Sequence, residues 1–90
     1  MDPARAEKLR ALMALHVAGA RLGRARDLAA RIELAQPRLM AHARRLSDDA
    51  DTARDLVQGA WGEIARGLGG LRDDRAFLPW ALAIVGRLAA

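Results

Sequence analysis

Apolar residues recur at intervals of three and four along most of the chain, the spacing of one helix face and not the alternation of a half-buried strand. Over residues 3–18, Leu9, Leu12, Met13 and Val17 form one such stripe, taken as the inward face. Asp2 is placed to cap this helix, and Pro3 suits a first turn, where its missing amide breaks no bond. Gly19 and Gly23 predict a break near residues 18–23. A second stripe of Leu28, Ile32 and Ala35 predicts a helix from about residue 24 through 34. Pro37 disfavours helical geometry at Gln36 and removes a backbone donor, so a kink or a fresh helix start is expected there. Leu39, Met40, Ala43 and Leu46 then resume the spacing.

The run Ser47-Asp48-Asp49-Ala50-Asp51 is the clearest punctuation in the chain. Asp48 is the expected cap of the next helix, and Asp49 and Asp51 bring negative charge to its first turn, where unpaired amides and the helix dipole favour it. The apolar set that follows is Ala53, Leu56, Val57, Ala60, Trp61, Ile64 and Leu68. The opposite face carries Asp55, Gln58, Gly59, Gly62 and Arg66. Each mid-helix glycine costs about 1 kcal/mol relative to alanine, so something other than helix propensity selects that face. Gly67, Gly69 and Gly70 end the helix, and residues 71–75 form a short charged connection. A last helix is expected over about residues 76–89, with Phe77, Trp80, Ala81, Ile84 and Leu88 apolar and Pro79 tolerable only within its first turn.

With no linker, repeat or low-complexity tract, the chain reads as a single domain, residues 1–23 being a leading helix or an N-terminal extension. Its 90 residues are 52% hydrophobic but only 3% aromatic, which favours helix packing through small side chains over sheet packing. An all-α fold follows, a compact bundle of three to four helices. The absence of cysteine removes disulfides and thiolate metal sites and suits a reducing cytoplasm. Charges interrupt every apolar stretch before the roughly 18–20 residues that span a bilayer, so no membrane insertion is expected. Charge is uneven: residues 1–46 hold ten Lys and Arg against four Asp and Glu, and residues 47–90 five against seven. A basic half is compatible with a nucleic-acid partner and equally with the codon bias of a GC-rich genome.

Candidates for catalysis are few. His16 and His42 lack the spacing or partners of a metal site. The Gly67 to Gly70 segment follows a helix and not a strand, the wrong context for a phosphate loop. Ser47 and Thr52, the two hydroxyl residues, sit where capping a helix start explains them. No catalytic residue, metal or cofactor is expected, and no enzymatic activity.

From residue 39 to 89 the chain resembles region 2 of the sigma-70 family, particularly its extracytoplasmic-function (ECF) branch. The resemblance rests on an ordered series: Ala43-Arg44-Arg45-Leu46, the acidic turn 47–51, Asp55-Leu56-Val57-Gln58 with Trp61, then Phe77, Trp80, Ile84 and Val85. It implies a sigma region 2-like bundle that docks on core RNA polymerase and opens promoter DNA in transcription initiation. The exposed face of the Asp55 helix would meet the clamp helices of the polymerase β′ subunit through Asp55, Gln58, Gly59, Gly62 and Arg66. A glycine there lets a partner helix approach closely. The last helix and the loop before it would separate the strands of the −10 element and hold an unstacked base, with Arg72, Arg75, Phe77, Trp80, Ala83 and Arg87 as the DNA-facing candidates; Phe77 and Trp80 read equally as core, Phe77 the more so.

The chain departs from the family pattern at Leu82 and Ala83, where a large residue and an arginine are usual, and at Arg87, which replaces a frequent asparagine. An arginine there suits phosphate or guanine and not bidentate readout of adenine. The family pattern continues with a basic extension and a second helix-turn-helix domain, so a segment of a longer sigma factor, regulated by an anti-sigma factor, is the expected setting. Two other readings stay open. One is a sigma-like interaction module that binds an anti-sigma factor or polymerase without touching DNA, and the other is a plain helical oligomerisation domain.

Overall fold

A computed structural model describes residues 2–17 and 19–90. Among them four helices follow one another: α1 (Pro3–Val17), α2 (Leu22–Arg45), α3 (Ala50–Gly67) and α4 (Phe77–Ala89). Short 3-10 turns at Leu68–Gly70 and Asp74–Ala76 lie between α3 and α4. This is the all-α bundle that the periodicity predicts. Short connections make successive helices antiparallel. Lys8 of α1 meets Glu33 of α2 at 3.2 Å, and Gln36 of α2 meets Trp61 of α3 at 2.6 Å. Across α3 and α4, Gly59 faces Leu88 and Gly67 faces Trp80. All three other helices pack on α3.

The core is built from the predicted stripes of three helices, except that Leu46, just past the end of α2, is 46% exposed. Leu28, Ile32, Ala35, Leu39 and Ala43 of α2 meet Ala53, Val57, Ala60, Trp61 and Ile64 of α3 and Phe77, Ala81, Ile84 and Val85 of α4, with Leu68 closing one end. Burying each large side chain contributes roughly 1.5–3 kcal/mol, which makes this shared core the main source of stability.

In α1 the inward face differs from the expected one. Ala4, Ala11 and Leu15 are buried and Leu12 is half-buried, whereas Met13 is 68% and Val17 88% exposed and Leu9 also faces outward. Large apolar residues surround this helix on several sides, so their spacing does not single out a face. Packing selects the side whose alanines let α1 lie close against α3.

Of the two outcomes expected at Pro37, a fresh helix start does not occur, because α2 runs through it. The buried row from Leu28 to Ala43 passes Pro37 without interruption, and the proline itself is exposed. Core packing on both sides outweighs the roughly 3 kcal/mol that an interior proline costs. The helix also begins at Leu22, so Gly23 lies in its first turn, while Gly19 makes the turn before it with a φ of 68°. Ala18, the last residue of the predicted first helix, lies outside the described residues.

Asp49, and not Asp48, caps α3. Its carboxylate accepts the Thr52 amide at 2.7 Å and the Thr52 hydroxyl at 3.0 Å. These bonds, the amide first, hold the Asp49 carboxyl below the usual carboxylate range. Ser47 caps no helix start; its hydroxyl donates to the Ala43 carbonyl at 2.6 Å and so serves the end of α2. Pro79 is the third residue of α4, inside the first turn as its chemistry requires. At the start of α2, Arg24 reaches the connection between α3 and α4. Its Nε lies 3.0 Å from Asp74, and its guanidinium also donates to the Leu71 carbonyl.

Candidate functional site

The solvent side of α3 is a strip between α1 and α4, and the helical repeat divides it in two. Asp55, Gln58, Gly62 and Arg66, at spacings of three, four and four, border α1. Asp55 and Gln58 share a shallow cleft with Asp2, Pro3 and Ala4, and Glu7 reaches over Gly62 beside Arg66. Glu7 itself pairs with Arg10. Gly59, Glu63 and Gly67, each four residues on, border α4 at Leu88, Arg87 and Trp80. The five residues singled out on α3 thus form one surface, with Gly59 on its α4 side.

What a Cβ would meet at each glycine separates the roles of the three. At Gly59 the nearest atom is a Leu88 methyl at 3.4 Å, and at Gly62 it is Glu7 Oε2 at 3.5 Å, followed by Arg66 Nη1 at 3.6 Å. Both are ordinary contacts with flexible side chains, so the fold has room for alanine at either position. At Gly67 a Cβ would lie 2.9 Å from Trp80 Cζ2, closer than carbon atoms can sit. A side chain at position 67 would force the indole to shift, whereas nothing need move at the other two.

On α4, Trp80, Ala83 and Arg87 share one stripe at spacings of three and four. Ala83 and Arg87 are exposed and Trp80 is half-buried. Arg87 forms an ion pair with Glu63 across the α3–α4 seam. Arg72 and Arg75 are exposed on the connection. Arg75 Nε lies 3.3 Å from Asp73, whose carboxylate also accepts the Arg75 amide at 3.0 Å. That amide bond, then the side-chain one, keeps the Asp73 carboxyl below its ordinary range. Phe77 is fully buried and presents no surface to a ligand. It belongs to the core and meets Trp80 edge-on, with ring centroids 6.1 Å apart at 66°.

Sequence reasoning passed over Glu7, Glu63, Gln36, Arg24 and the second role of Gly67. A buried tryptophan implies an acceptor somewhere, but nothing in the order of residues points to Gln36. Gly67 reads as a helix stop, and its contact with Trp80 follows only from the packing of α4 against α3. Among the described residues no three His, Cys, Asp or Glu cluster where they could hold a metal ion, and no helix is long and apolar enough to cross a membrane. His42 Nδ1 lies 3.3 Å from an Arg45 nitrogen, and His16 is exposed.

Comparison with known families matches residues 32–90 to the model described as Sigma-70 region 2. The matched segment runs from the middle of α2 to the end of α4 and includes both surfaces described above. No curated protein and no solved structure matches the chain.

Proposed function

The chain belongs to the sigma-70 region 2 family, whose place is in transcription initiation and not in catalysis, and we propose that it docks on polymerase through the outer strip of α3 and meets promoter DNA along α4. In this reading Asp55, Gln58, Gly59, Gly62 and Arg66 meet the β′ clamp helices. Trp80, Ala83 and Arg87, with Arg72 and Arg75 on the connection, meet an opened −10 element. The protein acts in the cytoplasm as an ECF-type factor under an anti-sigma partner.

The observation that carries the docking assignment is the pair of glycines the fold does not need. Gly59 and Gly62 each cost helix stability, and neither is required by a neighbour within the chain. A bare backbone on an exposed helix is what close approach of a partner helix demands. The DNA assignment draws on the exposed stripe that brings an aromatic and an arginine into line on α4, suited to stacking on a base and contact with its phosphate.

A second reading has one observation in its favour. Arg87 is already neutralised by Glu63, as suits a sigma-like module that engages polymerase or an anti-sigma factor and leaves DNA alone. Two measurements address them. Replacing Asp55 and Gln58 with lysine is expected to abolish pull-down of a β′ clamp-helix fragment without loss of helical content by circular dichroism. Undiminished pull-down would overturn the docking assignment. Docking without any binding of single-stranded DNA at low salt would favour the second reading.

A further inference from the structure

We infer that Gly67 is a positioning residue for Trp80: the missing side chain at the end of α3 sets where the indole lies and so orients the aromatic face offered to a DNA base. The inference rests on the proposal that Trp80 meets DNA and adds to it the device that aims the ring.

The geometry is specific to this glycine. Gly67 is the last residue of α3, with φ −97° and ψ −8°, a conformation open to any residue, so backbone freedom does not explain it. It is also exposed, so lack of room in the core does not explain it either. What does is the indole: with a Cβ present, Cζ2 would be 2.9 Å away and Cη2 3.4 Å away. Both atoms belong to the six-membered ring of the tryptophan. The indole also meets Phe77, fully buried, edge-on. The indole, between these two neighbours, is half-buried, with part of its surface left to solvent. A methyl group at position 67 would have to displace the indole, since its Cζ2 would lie within 2.9 Å.

The chain carries only two tryptophans, and this simplifies the test. Trp61 is fully buried and Trp80 is not, so acrylamide quenching of fluorescence reports on Trp80. Oligothymidylate is the probe, because stacking on an aromatic ring tolerates any base. Gly67→Ala is expected to change the quenching of Trp80 and to weaken oligothymidylate binding at low salt by about five- to tenfold, the lower part of what one stacked base contributes. In a Trp80→Phe background, where the ring is too short to reach position 67, adding Gly67→Ala should cause no further loss. That double variant also keeps the test alive if Gly67→Ala alone does not fold, since removing the collision should restore folding.

Unchanged binding and quenching in Gly67→Ala, with Trp80→Ala losing the oligonucleotide, would overturn the positioning role while leaving the DNA reading intact. Equal binding by Trp80→Ala and the parent would sink the DNA reading of Trp80 and the inference with it. A loss on adding Gly67→Ala that is as large with phenylalanine as with tryptophan would show that the glycine acts on something other than the indole.

Discussion

The indole N–H of Trp61 donates to the side-chain oxygen of Gln36 at 2.6 Å, so the largest fully buried side chain of the core has its polar atom paired across α2 and α3. Gln36 precedes Pro37, at the point where sequence alone predicts a kink or a fresh helix start. The bond therefore fastens α2 to the core where its own hydrogen-bond ladder lacks a donor. Gln36→Leu would leave the indole N–H buried without an acceptor, at a cost of roughly 1–3 kcal/mol. In a domain of this size the melting temperature should fall by about 4–8 °C for each kcal/mol, read by thermal circular dichroism. Gln36→Glu, which keeps an acceptor, should lose less.

Gly59→Ala should separate folding from docking. The new methyl group meets only Leu88 at ordinary distance, and alanine is the better helix former, so stability should rise by about 0.5–1 kcal/mol. If a β′ helix approaches the bare backbone, the same variant should bind the clamp-helix fragment more weakly. A rise in melting temperature with undiminished binding would remove Gly59 from the docking surface.

The Asp49 cap carries a pH signature. Its folded-state pKa is depressed, so the bond to Thr52 stabilises α3 fully above the ordinary Asp value of 3.8 and is lost as pH falls through the lower folded value. Asp49→Ala should melt below the parent at neutral pH, and the gap should close on acidification. Asp48→Ala, outside the helix, should produce no such gap. Paired thermal melts across the acid range would check both.

Arg87 and Glu63 give a charge test of the α4 surface. Glu63→Gln would release the guanidinium, so single-stranded DNA should bind more tightly and with a steeper salt dependence, by about 0.7 in the log–log slope for one added phosphate contact. Arg87→Ala should shift neither affinity nor slope in that direction. Fluorescence anisotropy over a salt series measures both, and a slope indifferent to Glu63→Gln would exclude Arg87 from phosphate contact.

How far the sequence could be read depended on what kind of contact decided each feature. The stripes of α2, α3 and α4 were legible because large apolar side chains mark the face that packs. On α1 the same rule selected Leu9, Met13 and Val17, which face outward, because the true contact runs through Ala4 and Ala11. Alanines carry little periodic signal. At Pro37 local backbone chemistry allows a kink or a fresh start, and only the continuous core decides against the fresh start. On the candidate surfaces, the pattern of α3 and α4 named most of the exposed residues, but Phe77 proved to be core and the partners Glu7, Glu63 and Gly67 came only with the packing of α3 against α1 and α4. Adjacency across a seam is a product of the fold, and residues far apart in the chain cannot announce it.

Arg24 has a consequence for association. By gripping Asp74 and the Leu71 carbonyl together, one side chain from α2 pins the segment that carries Arg72 and Arg75 before any partner arrives. The conformational entropy of that segment is given up when the domain folds, so a strand settling there would meet a surface already in shape and would have mainly its own freedom to lose.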